Sequence, residues 1–214
     1  MKILNLYCGI GGNRKNWGDE HQITAVELDP QIAKIYQDFF PQDTVIVADA
    51  HQYLLDHFAE FDFIWSSPPC QSHSRVRFAA MYSKYGELKQ KAIYPDMKLW
   101  QEIIFLQNYF KGKYVVENVI GFYEPFIKPQ EISKHYFWTN FFIPTYVSGY
   151  RGHNAKVPEL QKIKGFNLDK YDIAGKRLLL RNCVEPELGK YIFDRIKIED
   201  NIVIEKIEQQ NLQF

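Results

Sequence analysis

Short runs rich in β-branched and aromatic residues alternate with helical stretches through the first half of this 214-residue chain, and no other feature restricts its fold as strongly. The runs are Ile3 to Tyr7, Ile23 to Glu27, Thr44 to Val47, Phe61 to Trp65 and Tyr114 to Glu117. Between them fall a helix start after the first run, a helix from Pro30, another from His51 and a long one from Pro95 to Phe110. Strands separated by helices imply βαβ units and a parallel sheet, an α/β fold. In such sheets ligands bind beyond the carboxyl ends of the strands. Tyr7, Glu27, Asp49, Pro68 to Cys70 and Glu117 lie at or just after those ends, so one crevice can collect them all. The second half is less regular: a strand at Tyr136 to Phe142, a loop-rich stretch over 144–176, a helix around Glu187 to Arg195 and a hairpin within Lys197 to Ile207.

The length suits one folding unit with a sizeable core. No run of about 18 apolar residues suggests a membrane span, and Met1 to Leu6 lacks the long apolar stretch of a signal peptide, so a cytoplasmic location is expected. Cys8, Cys70 and Cys183 are odd in number and far apart, which argues for reduced thiols, and no Cys-x-x-Cys or Cys/His cluster offers zinc-ligand spacing. Net charge is zero but unevenly spread. Residues 1–70 carry 4 Lys/Arg against 10 Asp/Glu (−6), 71–91 carry 5 against 1 (+4), and 144–181 carry 8 against 3 (+5). A charge run alone is usually solvated surface; two basic segments that flank a neutral middle, beside a candidate nucleophile, favour a polyanion.

That nucleophile is Cys70, in Trp65-Ser66-Ser67-Pro68-Pro69-Cys70-Gln71. Pro68 fixes its own φ and, preceding Pro69, is pushed towards extended backbone, so the chain cannot enter a helix before Cys70. Glu117-Asn118-Val119 follows 47 residues later at the end of another apolar run. The first strand ends in Gly9-Ile10-Gly11-Gly12, which lets backbone approach a cofactor closely. Arg14 stands where a dinucleotide fingerprint needs a third small residue, so NAD is disfavoured. Glu27 lies 18 residues beyond Gly9, where an acid binds ribose hydroxyls. The competing structural readings make Glu27 a cap for the helix from Pro30 and Asp49 a cap for the helix at His51.

Asn5 to Gly12, Val26 to Asp29, Ala48 to Ala50, Pro68 to Gln71, Glu117 to Val119 and Arg181 to Val184 follow the order of the conserved blocks of DNA (cytosine-5) methyltransferases, and the chain resembles that family over nearly its whole length. The resemblance implies an S-adenosylmethionine-dependent methyltransferase fold, Rossmann-like, with a mostly parallel sheet and helices on both faces. It implies S-adenosyl-L-methionine as methyl donor and a flipped cytosine in double-stranded DNA as substrate. By resemblance Tyr7 packs on the adenine, Gly9, Gly11 and Gly12 admit the methionine part, Glu27 holds the ribose, and Asp49 faces the adenine amino group. Pro68, Asn182 and Val184 complete the cofactor pocket. Residues 1–143 then form the catalytic and cofactor-binding core, 144–176 a short target-recognition insert, and 177–214 a segment returning to the core.

Carbon 5 of cytosine is too poor a nucleophile to take a methyl group unaided. A thiolate from Cys70 adding to carbon 6 activates it, dividing one hard step into easier ones. Glu117, when protonated, hydrogen-bonds ring nitrogen 3. A base within a duplex cannot reach the thiol and must be flipped out. Ser72 to Lys91 resembles the family's catalytic loop, with Arg75, Arg77 and Lys89 for phosphates and Phe78, Tyr82 and Tyr85 for bases. Arg151, Lys162 and Lys164 are the corresponding cations of the recognition insert. Two departures stand out. The block that carries paired arginines in the family reads Ile132-Ser133-Lys134-His135 here, and the recognition region is short. A stand-alone bacterial or phage enzyme, or the modification half of a restriction system with an endonuclease partner, is expected. The rival readings are cytosine-5 methylation of tRNA and an inactive homologue that binds nucleic acid or cofactor.

Overall fold

Alternate residues of each central strand supply two different cores. Ile3, Phe63, Trp65, Val115 and Phe137 point to one face, while Leu4, Leu6, Ile64, Val116 and Trp138 point to the other. This is the period-2 placement that a strand imposes. The computed structural model describes residues 1–82, 87–147, 149 and 155–196. Its seven-stranded sheet contains β1 (Lys2–Leu6), β2 (Gln22–Glu27), β3 (Thr44–Val47), β4 (Phe63–Ser66), β5 (Lys113–Val119), β6 (Gln130–Ile132) and β7 (His135–Thr139), in the order β3-β2-β1-β4-β5-β7-β6. The first five strands run parallel, and β7 is antiparallel to both β5 and β6. The strand order reverses at β1, so the carboxyl ends of β1 and β4 diverge and open a crevice there.

Helices cover both faces. On one side α1 (Pro30–Phe39) packs Ile35 and Tyr36 against Ala25, and a helix over 186–196, here α7, packs Leu188, Ile192 and Phe193 against Phe63 and Trp17. On the other side lie α2 (Ala50–His57) and α4 (Lys98–Tyr109), whose Leu99, Trp100, Ile103 and Leu106 meet Ile64 and Val116. Asp29 caps α1 by accepting from the Gln31 and Ile32 N–H groups, with Pro30 at the first helical position. A short α3 (Arg75–Ala79) follows Cys70.

Three expectations change. No helix follows β1: residues 8–20 form successive turns, because Arg14 is drawn inward to the buried Asp43 carboxylate (Nε–Oδ2 2.9 Å), which also accepts from Tyr36 at 2.8 Å. The stretch 144–176, expected to be loop-rich, contains α5 (Val157–Lys164), which buries Leu160 with Phe166 and Leu168 in the α1 core. It is followed by α6 (Lys176–Asn182). The β6–β7 connection is a two-residue turn with Ser133 and Lys134 both at positive φ (49° and 69°), the conformation that matches hairpin twist, so a strand precedes the one expected at 136–142. The hairpin expected at 197–207 lies outside the described residues.

Candidate active site

Beyond the carboxyl ends of β1, β2, β4 and β5 lies a cleft of about 850 Å³. Tyr7, Gly9, Gly12, Glu27, Asp49, Pro68, Cys70, Glu117, Asn182 and Val184 all line it. The chain that leaves β1 is pinned by a buried amide pair in which Asn13 donates to Asn5 at 2.7 Å. Gly9, at φ 52°, donates its N–H to Glu27 Oε2 at 3.0 Å, and a side chain at Gly9 would meet nothing within 4 Å. The turn therefore offers bare backbone to the cleft. Gly12 is crowded instead: a Cβ there would stand 2.2 Å from Cys183 Sγ and 2.4 Å from the Val184 carbonyl, so its lack of a side chain lets the 182–184 segment sit on the turn. Gly11 does not line the cleft. Its φ is 85°, and a Cβ would clash with Phe40 at 2.3 Å, so this glycine serves packing against α1 rather than ligand access.

The acids at the strand ends are held by backbone. Glu27 accepts from Gly9 and, through Oε1, from the Asp29 N–H at 3.1 Å; it does not cap α1. Asp49 does cap α2, accepting from His51 and Gln52, and its second oxygen takes Lys98 Nζ at 3.2 Å while the residue still faces the cleft. Tyr7 adopts φ 53° and donates its hydroxyl to Glu102 at 2.5 Å. Burial, followed by the charge of Glu102, drives the Tyr7 phenol far above its ordinary pKa. The same Glu102 takes His51 Nδ1 at 2.9 Å and Ser66 Oγ at 2.6 Å, and its hydrogen bond raises the His51 pKa.

At the opposite end, Asn118 donates from Nδ2 to the Pro68 carbonyl at 3.0 Å and so ties the Pro68-Pro69-Cys70 segment to β5 beside Glu117. The Cys70 carbonyl accepts from the His73 and Ser74 N–H groups. Burial and then the Glu117 carboxylate push the Cys70 thiol up to about 11, so its neutral form is favoured at neutral pH. Glu117 is 8% exposed and faces His135 Nε2 at 3.8 Å, beyond hydrogen-bonding distance. Ser133, Lys134 and His135 all reach the cleft from the β6–β7 turn.

The candidate nucleic-acid cations separate. Arg75 and Arg77 lie on α3, where Arg75 donates to the Gly121 carbonyl at 2.7 Å and Arg77 to the Lys91 carbonyl at 3.4 Å. Lys89 and Lys162 are exposed. Arg151 lies outside the described residues. Lys164 is not a surface cation: it is 4% exposed, donates to the Cys183 carbonyl at 2.8 Å and has its pKa lowered by burial. It shares the inward face of α5 with Leu160, four residues earlier, and Lys162 points away.

Sequence reasoning missed the roles of Glu102, Lys98 and Asn118. For Glu102 a signal exists, since it sits among Leu99, Trp100, Ile103 and Leu106 on the apolar stripe of α4, where an unpaired acid is not tolerated. Among the described residues no group of three or more His, Cys, Asp and Glu could hold a metal ion, and no helix is long and apolar enough to cross a membrane.

Residues 1–126 match the family of C-5 cytosine-specific DNA methylases, and the chain belongs to that family. Its sheet is accordingly that of a methyltransferase, α/β and mostly parallel with helices on both faces. Solved structures that resemble it include a DNMT2 of Spodoptera frugiperda, at 20% identity and TM-score 0.44 over 70% of this chain and 53% of that one. The methyltransferase EhMeth of Entamoeba histolytica gives 16% and 0.37 over 56% and 38%, and a putative DNA modification methyltransferase encoded within an E. coli prophage gives 20% and 0.37 over 58% and 33%. The chain thus spans between a third and about half of the length of these structures. No curated protein sequence matches it.

Proposed function

We propose that this chain methylates carbon 5 of a flipped-out cytosine in double-stranded DNA, with Cys70 as nucleophile, Glu117 as the acid at ring nitrogen 3, and S-adenosyl-L-methionine as methyl donor. The observation that carries the reading is that Cys70 and Glu117 share one cleft with Tyr7, Glu27, Asp49 and the bare backbone of Gly9. That end of the cleft fits an adenosine-bearing cofactor: an open glycine backbone, an aromatic wall at Tyr7, and acids at successive strand ends for ribose hydroxyls and an amino group. Asn182 and Val184 close it from the C-terminal side. The cofactor supplies an electrophilic methyl on a sulfonium.

The protein's part begins at Cys70. Its thiol loses a proton to solvent as the S–C6 bond forms, and the C5=C6 π pair is directed to carbon 5 while Glu117 gives a proton to nitrogen 3. Once that acid carries its proton, the negative charge that helps hold up the Cys70 pKa is gone, so binding of the base and ionisation of the thiol favour each other. After methylation carbon 5 gives up its proton to solvent, nitrogen 3 returns its proton to Glu117, and Cys70 leaves with the S–C6 electron pair, which restores the aromatic ring. Asn118 ties the thiol's segment to the end of β5 through the Pro68 carbonyl.

Residues 144–176 serve as a short target-recognition region in this reading, and Arg75, Arg77, Lys89, Arg151 and Lys162 contact phosphates. The enzyme acts alone or as the modification half of a restriction system whose endonuclease is its partner. Supplying duplex DNA and tRNA in parallel with labelled methyl donor tests the substrate. Methylation confined to cytosine-5 of DNA is expected, and methylation of tRNA alone would transfer the reading to RNA. Absence of any transfer, with retained cofactor binding, would make the chain a binding homologue.

A further inference from the structure

Glu102 is a carboxylate on the buried stripe of α4, 1% exposed and surrounded by Leu99, Ile103 and Leu106. Burying an acid there is costly unless it is fully hydrogen-bonded, and a leucine would fill the position without that cost. The acid is instead met by donors from three other elements: the Tyr7 hydroxyl after β1, His51 on α2 and Ser66 at the end of β4. Of the three, Tyr7 lines the cleft and the other two do not. Tyr7 also has a left-handed backbone, φ 53°, which a residue other than glycine adopts only when its surroundings hold it there. His51 and Ser66 anchor the carboxylate, the carboxylate anchors the phenol, and the ring is thereby fixed at both its backbone and its hydroxyl.

We propose that Glu102 is a positioning residue which fixes the Tyr7 ring as a wall of the cleft, so that affinity for an adenosine-bearing ligand depends on a side chain that does not touch it. The inference rests on the methyltransferase reading above and extends it to a residue outside the cleft lining. An ordered ring costs a stacked ligand nothing to organise, whereas a swinging ring must be immobilised on binding.

The test is calorimetric titration of S-adenosylhomocysteine into the wild-type chain, Glu102→Gln, Tyr7→Phe and the double variant. Each single change is expected to lower affinity about 10-fold, the scale of one hydrogen bond to a charged group. The double variant should be no weaker than the weaker single variant, because both cut the same link. KM for the methyl donor should rise by a similar factor, with kcat changing less. Losses that multiply in the double variant, or a Glu102→Gln protein that melts earlier yet binds as tightly as wild type, would overturn the proposal. Should Glu102→Gln fail to fold, unchanged affinity in Tyr7→Phe overturns it equally. A wild-type chain that binds no S-adenosylhomocysteine sinks the functional reading and this inference together, and is told apart from the other failures by the wild-type titration alone.

Discussion

At the Tyr7 end of the cleft the acids are already engaged: Glu27 accepts two backbone N–H groups, Asp49 caps a helix and takes Lys98, and Glu102 accepts from three side chains. At the Cys70 end, Glu117 meets His135 only at 3.8 Å, and the Cys70 thiol is held in its neutral form by burial and by that same carboxylate. Under the proposed function the contrast separates two tasks. Binding gains from groups that are fixed before the ligand arrives. Covalent chemistry needs groups whose protonation changes during the reaction, and the hydrogen bonds of such groups often tighten only once substrate is present. Variants at the two ends should therefore fail in different ways.

The largest effect is expected at the loosely held end. Cys70→Ser should abolish methyl transfer while leaving S-adenosylhomocysteine affinity near wild type, because a hydroxyl is a far weaker nucleophile of similar size. DNA containing 5-fluorocytosine should trap an adduct at Cys70, since fluorine cannot leave as a proton does; an adduct mapped by peptide mass to Cys8 or Cys183 would defeat the assignment. Glu117→Gln comes next, lowering the single-turnover rate by about 10²-fold. It should also change the free thiol. Removing a neighbouring negative charge stabilises the thiolate, so the pH profile of Cys70 alkylation, centred at about 11 in the parent, should move to lower pH in Glu117→Gln. An unmoved profile would mean that burial alone sets the thiol.

Glu27→Ala probes the engaged end and should reverse the pattern. Affinity for the methyl donor should fall about 10-fold, and the rate should largely recover at saturating donor, as expected when an interaction common to ground and transition states is removed. Unchanged affinity would show that Glu27 serves only the Gly9 and Asp29 N–H groups it already binds.

Both ends were readable in the sequence wherever strand-end position decides function. Period-2 apolar runs place Tyr7, Glu27, Cys70 and Glu117 at the same edge of the sheet, and the cleft collects them there. What stayed hidden depends on long-range partners. The turns after β1 replace a helix because Arg14 finds Asp43, 29 residues away, and no local pattern announces that pair. Glycines look alike in sequence, yet Gly9 opens to the cleft while Gly11 presses on Phe40. Helix periodicity within 144–176 was available, as Leu160 and Lys164 are four apart, but the charge count there masked it.

Those two lysines, of which only Lys164 departs from its expected surface position, give the smallest and most selective prediction. Lys162 is exposed and Lys164 is buried under the segment that closes the cleft, although both were expected to bind phosphates. If Lys162 contacts one phosphate, Lys162→Ala should lower the slope of log affinity against log salt by about 1 and weaken all duplexes alike. Lys164→Ala should leave that slope unchanged. It removes the donor to the Cys183 carbonyl, so its cost should appear as lost thermal stability, about 1 to 3 kcal/mol for a buried acceptor left unpaired. Because Lys164 and Cys183 line the cleft together with Asn182 and Val184, the loss should extend to methyl-donor affinity. Equal salt-slope changes in the two variants would place Lys164 at the DNA surface after all and require α5 to turn its inner face outward when DNA binds.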